Sequence, residues 1–353
     1  MFEPPVLVNL GLLTATAAAT QLLCFLLSPL ARRWGWMDLP EGRKVHAAPT
    51  PLVGGAAVLL AVAAVAPFLG LLDIPLLAAC ALAFACGLVD DRRSLQPLTR
   101  FIWQTGACLL MIFLGKVALT DFGRLFWDGT LQLGILAVPV TVFAALGVIN
   151  AFNMIDGVDG LGGSVFLVCA ASMAWLAIQA GQFSQAQLLL LACAAVGGFL
   201  CLNARFPWNP GARVFLGDSG TNGLGLLLAW MFIDLGNGAD RAFAPMTAVW
   251  IIGLPLLDTT RLIGRRWLSG RSALSADQQH LHHAFLRAGF SVRCTWLSIA
   301  TGSALFALAG IAMERCGLAE YLRFYLYVGC GIAYLLWMEG AWRKGRFLGR
   351  NIV

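Results

Sequence analysis

The sequence predicts an all-α protein built from about eleven membrane-spanning helices. Three observations carry that prediction. Of 353 residues, 59% are hydrophobic and only 12% are charged, against about 25% charged in a soluble domain. The mean hydropathy is +0.79. The apolar residues are gathered into long runs, as crossing a hydrocarbon core of ~30 Å requires.

The runs are, in order, 6–30, 52–70, 74–89, 98–119, 133–149, 162–181, 185–203, 220–236, 245–263, 294–313 and 320–340. The first follows "MFEPP", which lacks the basic start of a secretory leader, and it is long enough to be kept as a helix. The second begins after "PTPLVGG", where Pro49, Pro51, Gly54 and Gly55 shape a loop that re-enters a helix. The third and eighth are among the shorter runs, and losing either would invert everything downstream. The charge pattern supports keeping both. Nineteen of the 24 basic residues fall in or beside the loops that follow odd-numbered runs, and the other side keeps only Lys116, Arg124, Arg241, Arg315 and Arg323. By the positive-inside rule, the N-terminus is expected in the periplasm and the C-terminus in the cytoplasm. Most of the ten cysteines lie inside apolar runs, with no CxxC pair, so they read as small hydrophobes and not as a disulfide framework. No repeat, low-complexity segment or soluble domain interrupts the chain. It reads as a single transmembrane domain, 1–353, with cytoplasmic loops at about 31–51, 90–98, 150–161, 204–221 and 264–293.

Those loops hold nearly all the chemistry. In "MDLPEGRKVHAAPTPLVGG", Arg43, Lys44 and His46 are anion-seeking, although Arg43 and Lys44 also fit ordinary positive-inside charge. In "GLVDDRRSLQP", Asp90 and Asp91 sit where the third helix should end. Carboxylates at a helix C-terminus are unfavourable by about 0.3–1 kcal/mol each, so the pair implies a cation: Arg92, Arg93 or a metal ion. In "VINAFNMIDGVDGLGG", Asn150, Asn153, Asp156 and Asp159 are spaced by threes and interleaved with Asp-Gly turns. That oxygen-only set suits a hard cation such as Mg²⁺. In "ARVFLGDSGTNGLG", Asp218 lies at a helix N-terminus and is either a metal ligand or a cap. Together, acids, arginines, histidines and glycine-rich turns on one membrane face fit metal-assisted chemistry on a phosphate ester.

"VDDR", "NAFNMIDGVDGL", "FLGDSG" and "HLHH", in that order and preceded by "PLVGG", resemble the polyprenyl-phosphate N-acetylhexosamine-1-phosphate transferases over about residues 43–290. The "HLHH" form is similar to the branch that starts common-antigen and O-antigen lipid carriers; the peptidoglycan-precursor branch carries three consecutive histidines, where this chain has Leu281 after the first. The resemblance implies transfer of an N-acetylhexosamine-1-phosphate, foremost N-acetylglucosamine-1-phosphate, from a UDP-sugar to undecaprenyl phosphate with release of UMP. A sister activity on another UDP-N-acetyl sugar or on UDP-MurNAc-pentapeptide is the alternative. It also implies Mg²⁺, replaceable by Mn²⁺, held by Asp218 with Asn153. Asp90 and Asp91 would lie near the lipid phosphate or metal, Asp156 and Asp159 would serve catalysis or nucleotide binding, and Phe215 would stack on uracil. Partners would be the two substrates, the bilayer of the bacterial inner membrane and a second copy of the chain, with no nucleic acid.

The attacking phosphate monoester has a second pKa of about 6 and is mostly a dianion at neutral pH, so no strong base is needed. Positioning and charge neutralisation should dominate, with Arg265, Arg266 and the histidines gripping phosphate oxygens. In "DQQHLHHAFLRAG", His280, His282 and His283 stand at offsets that differ from the i, i+4 pair of helical zinc sites. They read as the anion-gripping wall of the magnesium site, His280 foremost. A transporter is the rival class. It would place ionisable residues at the bilayer midplane, and the nearest exception here, Asp258 in "GLPLLDTTRLIGRR", reads as a partner of Arg261 at i, i+3.

Overall fold

The computed structural model describes residues 9–40, 48–127, 129–268, 270 and 279–347. Arg43, Lys44 and His46 therefore lie outside the described residues. The regular structure is helical apart from one two-stranded hairpin, β1 (Met37–Asp38) with β2 (Thr50–Pro51), and a single bridge between Asp121 and Gln132. The helices are α1 (Leu10–Trp34), α2 (Gly54–Val65, continued by a 3-10 turn to Leu69), α3 (Ile74–Arg93), α4 (Pro97–Phe113), α5 (Ala137–Ile155), α6 (Leu161–Gln179), α7 (Phe183–Asn203), α8 (Gly217–Gly236), α9 (Pro245–Ile251), α10 (Gly253–Leu268), α11 (Leu281–Arg287), α12 (Val292–Arg315) and α13 (Glu320–Phe347).

The ends follow capping chemistry. Asn9 accepts from Gly11 N at 2.9 Å to open α1, Asp73 accepts from Leu76 N at 3.0 Å to open α3, and Ser291 caps α12. Proline starts α4 and α9, where its missing N–H costs nothing.

Each apolar run overlaps one of these helices or one bent pair. Among the described residues, six helices are long and apolar enough to cross a membrane, and seven if the pair α9–α10 counts as one span. The chain is a multi-pass membrane protein. The count falls below eleven because α4 has 17 residues, α2 is shorter still, and polar residues crowd one end of α8 and of α13.

Two runs fold differently from expectation. The fourth was expected to stay helical to 119 but ends at Phe113; Lys116 then adopts φ 56°, and Leu119 N donates to Thr141 Oγ1 at 2.9 Å. The ninth is broken at Ile252, and its halves diverge by 82°. Pro255 has no N–H to give the Ile251 carbonyl, so the helix cannot run through.

α8 is the centre. It is buried on nearly every face, wrapped by α2, α3, α5 and α6. Its first turn meets α3 backbone to backbone: a Cβ added at Gly87 would stand 2.1 Å from the Asp218 carbonyl oxygen. A polar ladder also crosses the bundle interior. Asn150 donates to Gln104 Oε1 at 3.1 Å, and Gln104 donates to Asn222 Oδ1 at 2.7 Å, linking α5, α4 and α8. In hydrocarbon surroundings, such groups must find each other.

Gly87→Val is expected to destabilise the protein by about 1–3 kcal/mol through overpacking and to lower the unfolding midpoint in detergent. A midpoint equal to the wild type would show that α3 and α8 can move apart freely.

Candidate active site

The site forms where the first turn of α8 meets the last turn of α3. Leu216, the residue that precedes α8, supplies no side-chain cap. Asp91 supplies one from the neighbouring helix: its Oδ1 accepts from Asp218 N at 2.7 Å and its Oδ2 from Ser219 N at 3.0 Å. Both oxygens are thus engaged by the free N–H groups of a helix start, where negative charge is favoured.

That cap fixes Asp218. On its other side, Asn153 at the end of α5 donates to Asp218 Oδ1 at 2.7 Å and to Thr221 Oγ1 at 2.6 Å. Backbone pairing joins the first loop to the same place: Gly54 N donates to the Phe215 carbonyl at 2.9 Å, Gly55 N to Leu216 at 3.0 Å, and Phe215 N to Pro51 at 2.9 Å. Phe215 is half-buried there.

Asp90 is neutralised differently from expectation. Arg92 and Arg93 are exposed, and the cation is Arg100, whose Nη1 lies 3.0 Å from Asp90 Oδ2. Ser94, at φ 47°, turns the chain so that α4 comes back alongside the end of α3. Asp90 Oδ1 accepts from Leu95 N at 2.7 Å within that turn.

The third loop divides its two acids. Asp159 is buried and bound to Arg205 Nε at 2.7 Å, with Ala212 N at 3.3 Å. Asp156 accepts from Gly162 N at 3.0 Å and has no cation beside it among the described residues. Burial pushes its carboxyl up to about 7, the Gly162 N–H opposes that, and the Asp159 and Asp218 carboxylates add to it. Asn203 ties the third loop to the fourth, accepting from Gly160 N at 2.8 Å and donating to the Val214 carbonyl at 2.9 Å. Asn150, expected with the loop acids, belongs instead to the interior ladder.

The histidines do not form one open wall. His282 is 4% exposed and packs on the acidic loop: a Cβ at Gly157 would stand 2.2 Å from its ring, so only glycine fits opposite it. Burial, with the neighbouring His283 and His280, pushes His282 down to about 3, so it is neutral at physiological pH and brings no charge to a phosphate. His280 places Nδ1 2.9 Å from Asp258 Oδ2. His283 is half-buried, its ring 4.2 Å from that of His282. Arg265 reaches Glu339 on α13 at 3.3 Å, and Arg266 is buried. Asp258 does pair with Arg261, at 3.7 Å, but also with His280.

Arg100, Arg205, Asn203 and Asp258 are site residues that the motifs did not point to. Only Asp258 carried a signal, as a lone acid in an apolar run. Among the described residues, no group of three or more His, Cys, Asp or Glu side chains is arranged to hold a metal ion.

Residues 74–236 match the family described as glycosyl transferase family 4. Three relatives bear the name undecaprenyl-phosphate alpha-N-acetylglucosaminyl 1-phosphate transferase. The Escherichia coli (strain K12) protein is 33% identical over 339 residues, covering 94% of this chain and 91% of its own. That of Yersinia pestis is 33% identical over 331 residues, covering 92% and 90%. That of Haemophilus influenzae is 33% identical over 338 residues, covering 93% and 94%.

The position of Asp156 has a consequence for stability. Its folded pKa, about 7, lies above the unfolded value of about 3.9. Its contribution is therefore fully present below about pH 4 and is lost as pH rises through about 7. Without divalent cations, the unfolding midpoint should fall between pH 5 and 8, and Asp156→Asn should flatten that fall. An identical slope in the variant would assign the fall to other groups.

Proposed function

The chain belongs to glycosyl transferase family 4, and from that premise we propose that it transfers N-acetylglucosamine-1-phosphate from UDP-N-acetylglucosamine to undecaprenyl phosphate, releasing UMP. The observation that carries this reading is the convergence of four loops on the start of α8, where Asp218 is gripped between Asp91 and Asn153. An oxygen of the lipid phosphate attacks the sugar-bearing phosphorus of the nucleotide sugar. The bond to the UMP oxygen breaks, that oxygen keeps the electron pair, and a lipid-linked diphosphate sugar results. The incoming group is already an anion, so the residues need to position and neutralise more than to remove a proton.

Asp218 offers carboxylate oxygens, and Asn153, whose Nδ2 donates to it, also carries an amide oxygen; ligand oxygens of these kinds fit Mg²⁺, or Mn²⁺ in its place. Magnesium commonly binds one or two carboxylates and completes its shell with substrate phosphates and water, and Asp218, with Asn153 beside it, is the carboxylate that would hold it. When bound, the ion would neutralise the diphosphate. Asp91 then acts by holding the α8 turn, since both its oxygens are engaged by backbone N–H groups. Asp90 and Asp159 are already matched by Arg100 and Arg205, which gives them orienting roles. Asp156 is the acid left to meet substrate. His280 faces a phosphate with Nε2, and Phe215 offers a ring to the uracil.

The same reading takes all eleven apolar runs as spans, with the N-terminus periplasmic and the site on the cytoplasmic face of the bacterial inner membrane. The distribution of basic residues supports it.

Purified protein supplied with undecaprenyl phosphate and a panel of UDP-sugars should release UMP fastest from UDP-N-acetylglucosamine. Preference for another UDP-N-acetyl sugar or for UDP-MurNAc-pentapeptide would move it to a sister activity, and no UMP release from any would sink the proposal. Asp218→Asn should lose most turnover and shift the Mg²⁺ dependence; full turnover at unchanged Mg²⁺ demand would remove Asp218 from the metal.

A further inference from the structure

The carboxylate of Asp258 is one of the most buried charges in the chain, with its side chain 2% exposed. It stands on α10, one turn before Arg261, which is as deeply buried. A charge taken that far out of water must be fully partnered or it is strongly destabilising. Here the partners come from three elements. Tyr334 on α13 donates its hydroxyl to Oδ1 at 2.8 Å, Leu281 N donates to Oδ1 at 3.2 Å, and His280 Nδ1 meets Oδ2 at 2.9 Å. Arg261 pairs with Oδ1 at 3.7 Å and donates from Nη2 to the carbonyl of Gln279.

Two buried side chains of α10 thus hold three successive residues, Gln279, His280 and Leu281, by backbone and by ring. That is more than a charge balance needs, because pairing Asp258 with Arg261 alone would neutralise both. The excess falls on the residue whose ring the proposed reaction uses. We propose that Asp258, steadied by Tyr334, is the positioning residue for His280: it fixes the proton on Nδ1 and turns Nε2 to the phosphate of the nucleotide sugar. This rests on the phosphate-facing role given to His280 above. In general, a carboxylate on one ring nitrogen orients an imidazole and favours its doubly protonated form, whose other N–H can donate to an anion. The charged groups facing the ring are Asp258 and, through it, Arg261; His282 stacks beside it and His283 lies tilted to it, at centroid distances of 5.7 and 6.4 Å.

The test is a double-mutant cycle on the purified full-length enzyme, with kcat and KM for UDP-N-acetylglucosamine and the unfolding midpoint read for each variant. Asp258→Asn keeps the shape of the side chain and removes its charge. It should lower kcat/KM for the nucleotide sugar about 10–100-fold, leave KM for undecaprenyl phosphate unchanged, and lower kcat/KM less than about twofold once His280→Ala is present, as coupled residues do. Tyr334→Phe, which removes one hydrogen bond and no charge, should show a smaller loss that likewise vanishes in the His280→Ala background. It serves as the test if Asp258→Asn does not fold. An equal loss in both backgrounds would make Asp258 a purely structural group and overturn the proposal. So would an active Asp258→Asn beside an impaired His280→Ala. Full activity in His280→Ala would instead remove the role of His280 itself, and the proposal with it.

Discussion

The structure depends on one hydrogen-bonded junction, the carboxylate of Asp91 across the first turn of α8. A helix that begins inside a membrane protein exposes N–H groups that have no water to turn to. α8 has no cap of its own, so a neighbouring helix supplies it, and the supply line is short because Gly87 lets α3 and α8 touch at the backbone. The contact that solves a solvation problem thereby sets the position of Asp218. A cap of this kind contributes on the order of 0.5–2 kcal/mol. That is modest for stability, but a displacement of Asp218 by an ångström would matter far more to phosphoryl transfer.

A second regularity is how the acids are shared out. Asp90 has Arg100, Asp159 has Arg205 and Asp258 has Arg261 with His280. Asp121, remote in sequence from those loops, has Arg241 at 3.4 Å. Among the described acids of the site, those with no ion pair are Asp91, which is satisfied by N–H groups, and Asp156 and Asp218. Within the site, the unpaired carboxylates are therefore those on the third loop and at the start of α8. This is the arrangement expected of a site that leaves its charge balance to be completed by the substrate complex.

Much of this was legible in the sequence because a bilayer enforces simple rules. Helix positions followed from apolar runs, each of which overlaps a helix or a bent pair. The gathering of "VDDR", "NAFN" and "GDSG" at one place followed from their shared membrane face. Other features depend on contacts that linear spacing does not encode. Arg100 reaches Asp90 because Ser94 reverses the chain, while Arg92 and Arg93, adjacent in sequence, point away. The spacing of "HLHH" describes a helix face but not what lies against it, and Gly157, far away in sequence, decides that His282 is buried and neutral. The break at Ile252 had a local cause in Pro255, which was readable; the run looked continuous because its hydropathy hardly changes across the break.

The clamp on the histidine loop draws its parts from two helices that are made at different times. Asp258 and Arg261 enter the membrane with α10, yet Tyr334 and Glu339 belong to α13, which follows every site loop in the chain. Until α13 packs, α10 carries an incompletely partnered ion pair and His280 hangs from an unsteadied carboxylate. The loops around α8 are held by their own contacts, but the carboxylate beside His280 is not fully partnered until α13 is in place. A chain that ended before α13 would keep the acidic cradle and the hold of α10 on His280, but would lack the tyrosine that steadies the carboxylate between them.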